Sequence, residues 1–279
     1  MELNILFHTA LFFEAQPLIE YYKLKQVFQL KNIKIYNKEN TFLIISGTGL
    51  INTANSISIF FNLFNQQKKN FLCINIGIAA SKELQLNNWF YADTIKMFKQ
   101  RFVFYPSIVY PFESSKLITV TEIADSCLTN KYPEYMFDME GYSFSKSVQF
   151  YQQNHFIHSF KYISDSGYKF LDAKNLQINY NNDFRKVLEK INTLIEHLKK
   201  HLIDENLLER NTLISDKINQ LKITSYQKNQ LLTAIKYYLN YQSLDKALNK
   251  LDNFKLQLSK NKKTNNQLFE IFLDSLYAF

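Results

Sequence analysis

The 279-residue chain has five glycines, four prolines, two cysteines and one tryptophan. In a sequence so poor in glycine, each one is expected where a side chain does not fit, at positive φ or where a ligand approaches the backbone. The five are Gly47, Gly49, Gly77, Gly141 and Gly167, each at the end of a predicted strand or the start of a predicted helix. None follows Gly167, so the C-terminal third carries no sign of a ligand loop. Cys73 and Cys127 have no CxxC spacing, which excludes a thiolate metal cluster and a disulfide framework. A reducing, cytoplasmic compartment is the expectation. No apolar run approaches the ~18 residues of a membrane span, and Met1-Glu-Leu-Asn lacks a basic leader, so neither a membrane segment nor a membrane partner is expected.

The chain is rich in aromatics, with 25 Phe and 18 Tyr, read as compositional bias rather than as a binding surface. The formal charge is +8. Residues 183–279 hold 16 Lys or Arg against 11 Asp or Glu, and the remainder 17 against 14, so the excess is spread thinly. Only residues 260–263 form a short basic block. A nucleic-acid partner is disfavoured, because such binding rests on clustered phosphate contacts.

The first two-thirds alternates short apolar runs with amphipathic stretches, the pattern of an α/β domain. Strands are predicted at residues 3–9, 33–36, 42–46, 71–76, 94–98, 117–121, 135–139 and 159–163, and helices at 14–22, 51–66 and 142–153. From residue 183 only helical periodicity remains. Leu188, Ile191, Ile195, Leu198 and Leu202 make one apolar stripe over 183–201. Further helices are predicted at 225–240 with Ser225 as N-cap, 243–258 with Ser243 as N-cap, and 267–277. The expected division is an α/β domain over 1–205 and a helical extension over 206–279.

Two strings carry chemistry: Phe137-Asp-Met-Glu-Gly141 at one strand end and Ile163-Ser-Asp165 at the end of the next. Ligands of open α/β sheets bind at the carboxyl ends of strands, so Glu140 and Asp165 are expected to face one crevice. Glu14, just after the first strand, adds a third acid at an equivalent position. Each has a simpler reading: Asp165 as a turn residue beside Ser164 and Gly167, and Glu14 and Glu140 as helix-start acids. Gly47 and Gly49 fit either a tight turn or a ligand pocket.

These strings, with Gly47-Thr-Gly49, Asn75-Ile-Gly77, Ala92-Asp93-Thr94 and the segment ending at Glu14, resemble the nucleoside phosphorylase superfamily. Within it they are most similar to the 5'-methylthioadenosine/S-adenosylhomocysteine nucleosidases, over about residues 1–202. The resemblance implies a three-layer αβα sandwich with a mixed central sheet. It implies hydrolysis of the N-ribosidic bond of an adenine-type nucleoside, in methionine salvage. Asp165 would protonate the leaving base and Glu14 would activate water. Met139 and Glu140 would hold the ribose, Glu140 through two hydroxyls. Gly77, Ile78, Thr121, Ile123, Phe137 and Ser164 would line the base or the pocket, with Ser164 orienting Asp165. Phe104 and Tyr105 would wall a 5' substituent, against the simpler reading of core packing. A homodimer is also implied.

Arg101, Arg185 and Arg210 are the only arginines, and none follows strand one or Gly77, so hydrolysis is favoured over a phosphate-dependent phosphorylase. A non-catalytic nucleoside-binding module with a helical interaction tail is the alternative of another class. His8, His155, His158, His197 and His201 have no ligand pattern, and neither a metal nor another cofactor is expected.

Overall fold

A computed structural model describes residues 3–64, 70–106, 112–167, 173–203, 205–239, 242–258 and 262–277. The elements are β1 (Asn4–Thr9), α1 (Phe12–Tyr22), β2 (Lys25–Leu30), β3 (Ile33–Lys38), β4 (Thr41–Ile45), α2 (Leu50–Phe64), β5 (Phe71–Ala80), β6 (Trp89–Met97) and β7 (Val103–Phe104). They continue with β8 (Ser114–Thr119), α3 (Ser126–Lys131), β9 (Met136–Asp138), α4 (Gly141–Val148), a 3-10 turn (Asn154–Phe156), β10 (Ile157–Asp165) and α5 (Ala173–Ile203). Helices α6 (Glu205–Asn219), α7 (Ser225–Tyr238), α8 (Leu244–Gln257) and α9 (Lys262–Ser275) follow. The chain divides into two compact units, one ending at Ile195 and the other taking over at Glu196, inside α5.

The first unit is built on one mixed sheet in the order β10-β6-β8-β9-β5-β1-β4-β3-β2, with β7 on β6 and β10 also paired to β5. Strand β10 runs along one edge of β5 from Cys73 to Ala80, while the other edge takes β1 and then, at Ala80, β9. The sheet therefore closes on itself through β5-β10-β6-β8-β9 at one end and stays open through β1-β4-β3-β2 at the other. Strands β5 and β10 are buried on both faces; the near-continuous apolar run of β5 requires this, whereas β10 buries His158, Ser159 and Lys161 among its apolar residues.

Helices α1 and α5 pack together on one face, where Tyr180 meets Phe13 and its hydroxyl reaches the Glu14 carbonyl. Tyr180 and Phe184 also pack on Trp89, and Tyr180 on Tyr162, which pins this part of α5 to β6 and β10. Helices α2 and α4 cover the other face. Helix α2 buries Thr53, Ser56, Ile57, Phe60 and Phe61, spacings of three and four that make one stripe. The architecture is the expected αβα layering with a mixed central sheet.

Several elements differ from the sequence expectation. Strand β2 was not expected, because as the outermost strand it is exposed almost throughout and lacks an apolar run. Strand β6 begins at Trp89 and β5 extends to Ala80, since β-structure continues through the ring. Helix α4 ends at Val148 rather than 153, and α5 starts at Ala173 rather than 183. The end of the predicted 51–66 helix and the first residues of the 260–263 block lie outside the described residues.

In the second unit, α6 runs across the division expected between residues 205 and 206. Thr224, not Ser225, caps α7, its hydroxyl accepting from Gln227 N while the Gln227 amide oxygen returns to Thr224 N. Ser243 caps α8 as expected. The unit has its own core, with Ile214, Ile218, Leu231, Ile235, Leu251 and Phe254 nearly inaccessible and Phe254 stacked on Phe272 at 4.3 Å. Each such side chain contributes about 1.5–3 kcal/mol of burial. Among the described residues no helix is long and apolar enough to cross a membrane.

Candidate active site

Helix α1 begins without a side-chain cap at Leu11, and Glu14 turns back to supply one. Its Oε2 accepts from Ala10 N at 3.0 Å and Leu11 N at 2.9 Å, and its Oε1 accepts from Ile78 N at 3.0 Å. The first two bonds are those of a helix-start acid. The third ties the carboxylate to the end of β5, and the side chain is only 2% exposed. Burial raises its pKa above the ordinary value, against the three N–H donors and the charge of Lys161.

Gly77 explains how the carboxylate reaches this position. A Cβ there would lie 3.0 Å from Glu14 Oε1 and 3.4 Å from Lys161 Nζ. Lys161 is the β10 residue in register with Gly77, so the missing side chain leaves space for both charged groups. Lys161 is fully buried and pairs with Asp138 Oδ2 at 2.8 Å. Burial alone would lower its pKa, but Asp138, Glu140 and Glu14 together hold it above the usual lysine value. One ammonium therefore serves three carboxylates.

Asp138 is bound on every side. Its Oδ1 accepts from Thr119 Oγ1 and its Oδ2 from Gly141 N, both at 2.7 Å, and Thr119 Oγ1 in turn accepts from Tyr142 N. It thus caps α4 and fixes the Met139-Glu140 step. At Gly141 a Cβ would come within 2.6 Å of Leu117 Cδ2 and 2.9 Å of Asp138 Oδ2, so a side chain there displaces the groups that fix the Glu140 step. Glu140, the N-cap residue of α4, makes no cap bond with its side chain. Its Oε1 instead accepts from Gly49 N at 2.7 Å, across 91 residues of sequence. Burial and the neighbouring Asp138 push its pKa up to about 7, against Lys161 and the Gly49 N–H. Gly49 sits at φ +94°, a conformation costly for other residues, and opens α2.

Asp165 ends β10 just past a bulge between Ile163 and Asp165, a feature that re-aims a side chain at a strand end. Ser164 Oγ donates to Asp165 Oδ2 at 2.6 Å and Gly167 N to Oδ1 at 2.8 Å. Asp165 pairs with Ala80 in register, so β5 and β10 carry Ile78, Lys161 and Asp165 to one end of the sheet. Phe137 is buried opposite Ala80, and half-buried Met139 packs on the same cluster with Ile118 and Val120. Thr121 is exposed and Ile123 is 86% exposed. Phe104 is in the core. Arg101 is exposed, and Arg185 is exposed beside Glu189.

Sequence reasoning passed over Lys161, Asp138 and Thr119. A lysine inside the buried run Ile157-His-Ser-Phe-Lys-Tyr-Ile163 is the signal that marks the first, since an unpaired buried ammonium is not tolerated.

No family model and no curated protein matches the chain. Solved structures do. Arabidopsis thaliana 5'-methylthioadenosine nucleosidase superposes with a TM-score of 0.56 at 15% identity, over 68% of this chain and 95% of its own. A mutant Helicobacter pylori MTAN, a nucleosidase of the same name class, with 5'-methylthioadenosine in its active site, gives 0.52 at 12%, over 68% and 100%. Helicobacter pylori futalosine hydrolase gives 0.50 at 15%, over 67% and 97%. About two-thirds of the chain therefore shares the fold of these structures over nearly their whole length, and the rest is additional to it.

Proposed function

We propose that the first unit is a purine nucleosidase that hydrolyses the N-ribosidic bond of an adenine-type nucleoside with a substituted 5' position. The observation that carries this reading is the bond from Gly49 N to Glu140, with Glu14 and Lys161 meeting at Gly77 and Asp165 in register beside them. Structures of the same fold are named as 5'-methylthioadenosine nucleosidases and a futalosine hydrolase.

Cleavage passes through an oxocarbenium-like state, which needs a proton on the departing base, an activated water and negative charge near the sugar. Asp165, oriented by Ser164, protonates the base. A carboxylate offers about four lone-pair sites, so Glu140, with one oxygen on Gly49, keeps acceptor capacity for the ribose hydroxyls. Glu14 spends three acceptor sites on backbone N–H groups and keeps one for water, and burial moves its basicity toward the working range of a general base. Lys161 offsets the charge that would otherwise drive these acids apart. The N–H groups of Ala10 and Leu11 are occupied by Glu14, which supports water rather than phosphate as the acceptor. Methionine salvage, a cytoplasmic setting and a homodimer belong to the same reading and rest on the resemblance.

The test is base release from methylthioadenosine, adenosylhomocysteine, adenosine and inosine, with and without phosphate. Release independent of phosphate and lowered at least about 100-fold in Asp165→Asn is expected. No release from any nucleoside would remove the enzyme reading in favour of a binding module.

A further inference from the structure

Beside the β1 and β4 ends lies a cleft of about 410 Å³. Its inner wall includes Ala10 and Leu11, the residues whose N–H groups hold Glu14, and Gly47, two residues before the Gly49 that binds Glu140. Its outer wall comes from β2 and β3 and the turn between them, through Gln29, Lys31, Asn32 and Lys34. A Cβ at Gly47 would lie 3.9 Å from Asn32 Cβ, so the two walls approach each other where Gly47 lacks a side chain. Lys34 Nζ sits 5.9 Å from the centroid of the Phe12 ring, another lining residue. None of the lining residues is acidic.

Across the sheet the order is β10, β5, β1, β4, β3. Asp165 ends the first of these strands, Glu14 follows the third, and the cleft lies at the last two. A nucleoside with its base at Asp165 and its sugar at Glu140 and Glu14 therefore has its 5' side free to extend toward the cleft. Resting on the nucleosidase reading, we propose that this cleft receives a negatively charged group, such as a carboxylate, at the end of the substrate's 5' substituent.

The charge pattern selects this class. A neutral alkylthio tail would draw on neither ammonium group and neither amide N–H set of the cleft, Gln29 keeping its amide oxygen on Gln26. A zwitterionic amino-acid tail would set its own ammonium against Lys31 and Lys34. An anionic tail is attracted by both lysines and can accept from Gln29 and Asn32 as well. The nearest acid on the inner side, Glu14, is held by three N–H donors and offset by Lys161.

The experiment compares three nucleosides: methylthioadenosine, S-adenosylhomocysteine, and 5'-S-(3-carboxypropyl)-5'-thioadenosine, which is the second without its amino group. The expected result is a kcat/KM for the carboxypropyl compound about five- to tenfold above the other two, as two partly exposed charge pairs allow. In the double variant Lys31→Gln/Lys34→Gln the ratio of carboxypropyl to methylthio substrate collapses toward one, and in the wild type it falls as salt is raised. Taking the ratio within each protein removes any effect of the substitutions on folding. Equal cleavage of all three, or an unchanged ratio in the double variant, overturns the inference while leaving the nucleosidase reading intact. Acceleration by inorganic phosphate with a sugar 1-phosphate product, lost in the double variant, assigns the cleft to free phosphate and also overturns it. Absence of both cleavage and binding for every nucleoside removes the underlying reading itself.

Discussion

Lys161 Nζ lies 2.8 Å from Asp138 Oδ2, with both side chains sealed from solvent. The pair joins β10 to the end of β9, and the same ammonium is drawn on by Glu140 and Glu14. Taking two charges out of water costs several kcal/mol per ion, recovered here by the short ion pair and by the Thr119 and Gly141 donors that complete Asp138. Lys161 is therefore the residue on which the acid cluster depends.

Replacing it tests that dependence. Lys161→Met leaves Asp138 charged and unpaired in the interior, and a loss of about 3–5 kcal/mol of stability is expected. Lys161→Arg keeps the charge and is expected to lose less than half as much. Trp89, the single tryptophan and fully buried in the first unit, reports the unfolding in denaturant. Equal stability of Lys161→Met and wild type would mean that the cluster is not ionised as described.

Gly77→Ala places a methyl group 3.0 Å from Glu14 Oε1 and 3.4 Å from Lys161 Nζ. Strand β5 accepts alanine, as Ala79 and Ala80 show, so the backbone tolerates the change and the cost falls on the two charged groups. Overpacking of this kind costs about 1–3 kcal/mol. The expected outcome is a fall of at least about tenfold in kcat/KM for base release, larger than any effect on KM alone. Unaltered kinetics would show that the Glu14 position has no bearing on catalysis.

Glu140 makes stability pH-dependent in a definite direction. Its pKa is about 7 in the folded protein against an ordinary 4.5, so the folded state holds this proton more tightly than the unfolded one. Below pH 4.5 both states are protonated and the contribution is complete. Between 4.5 and 7 the unfolded state releases its proton first, and stability is lost as pH rises. Glu140→Gln removes this loss while keeping an acceptor for Gly49 N. From pH 5 to pH 8 the variant should gain about 1–2 kcal/mol on wild type, after allowance for relaxation around the site. Thermal melts at the two pH values measure it, and a gap that shrinks with rising pH would contradict a Glu140 carboxyl raised by burial and by Asp138.

Much of the first unit was legible because its signals are local. The apolar run at 71–76 marks a strand buried on both faces, and the Met139-Glu140-Gly141 and Ser164-Asp165 strings stand at strand ends. Strand β2 was not legible, since an edge strand exposed on both faces carries no periodicity. Helix α6 was missed for a different reason: Glu205 and Asn206 at its start look like a polar linker, and only burial of Ile214 and Ile218 in the helical core shows which face it uses. Thr121 and Ile123 were read as lining the base or the pocket from the family resemblance; both follow β8 and are exposed.

By itself the sequence determined which residues had no alternative: five glycines, placed where a Cβ is strained or obstructed, and acids at the ends of three strands. Tertiary structure decided what those positions are for. Gly77 is open because Lys161 and Glu14, 84 and 63 residues away, need the same space beside it, and Gly49 matters because its N–H meets Glu140. A buried ammonium is stable only among several carboxylates, and that convergence comes from three strands and a helix start that no local pattern links.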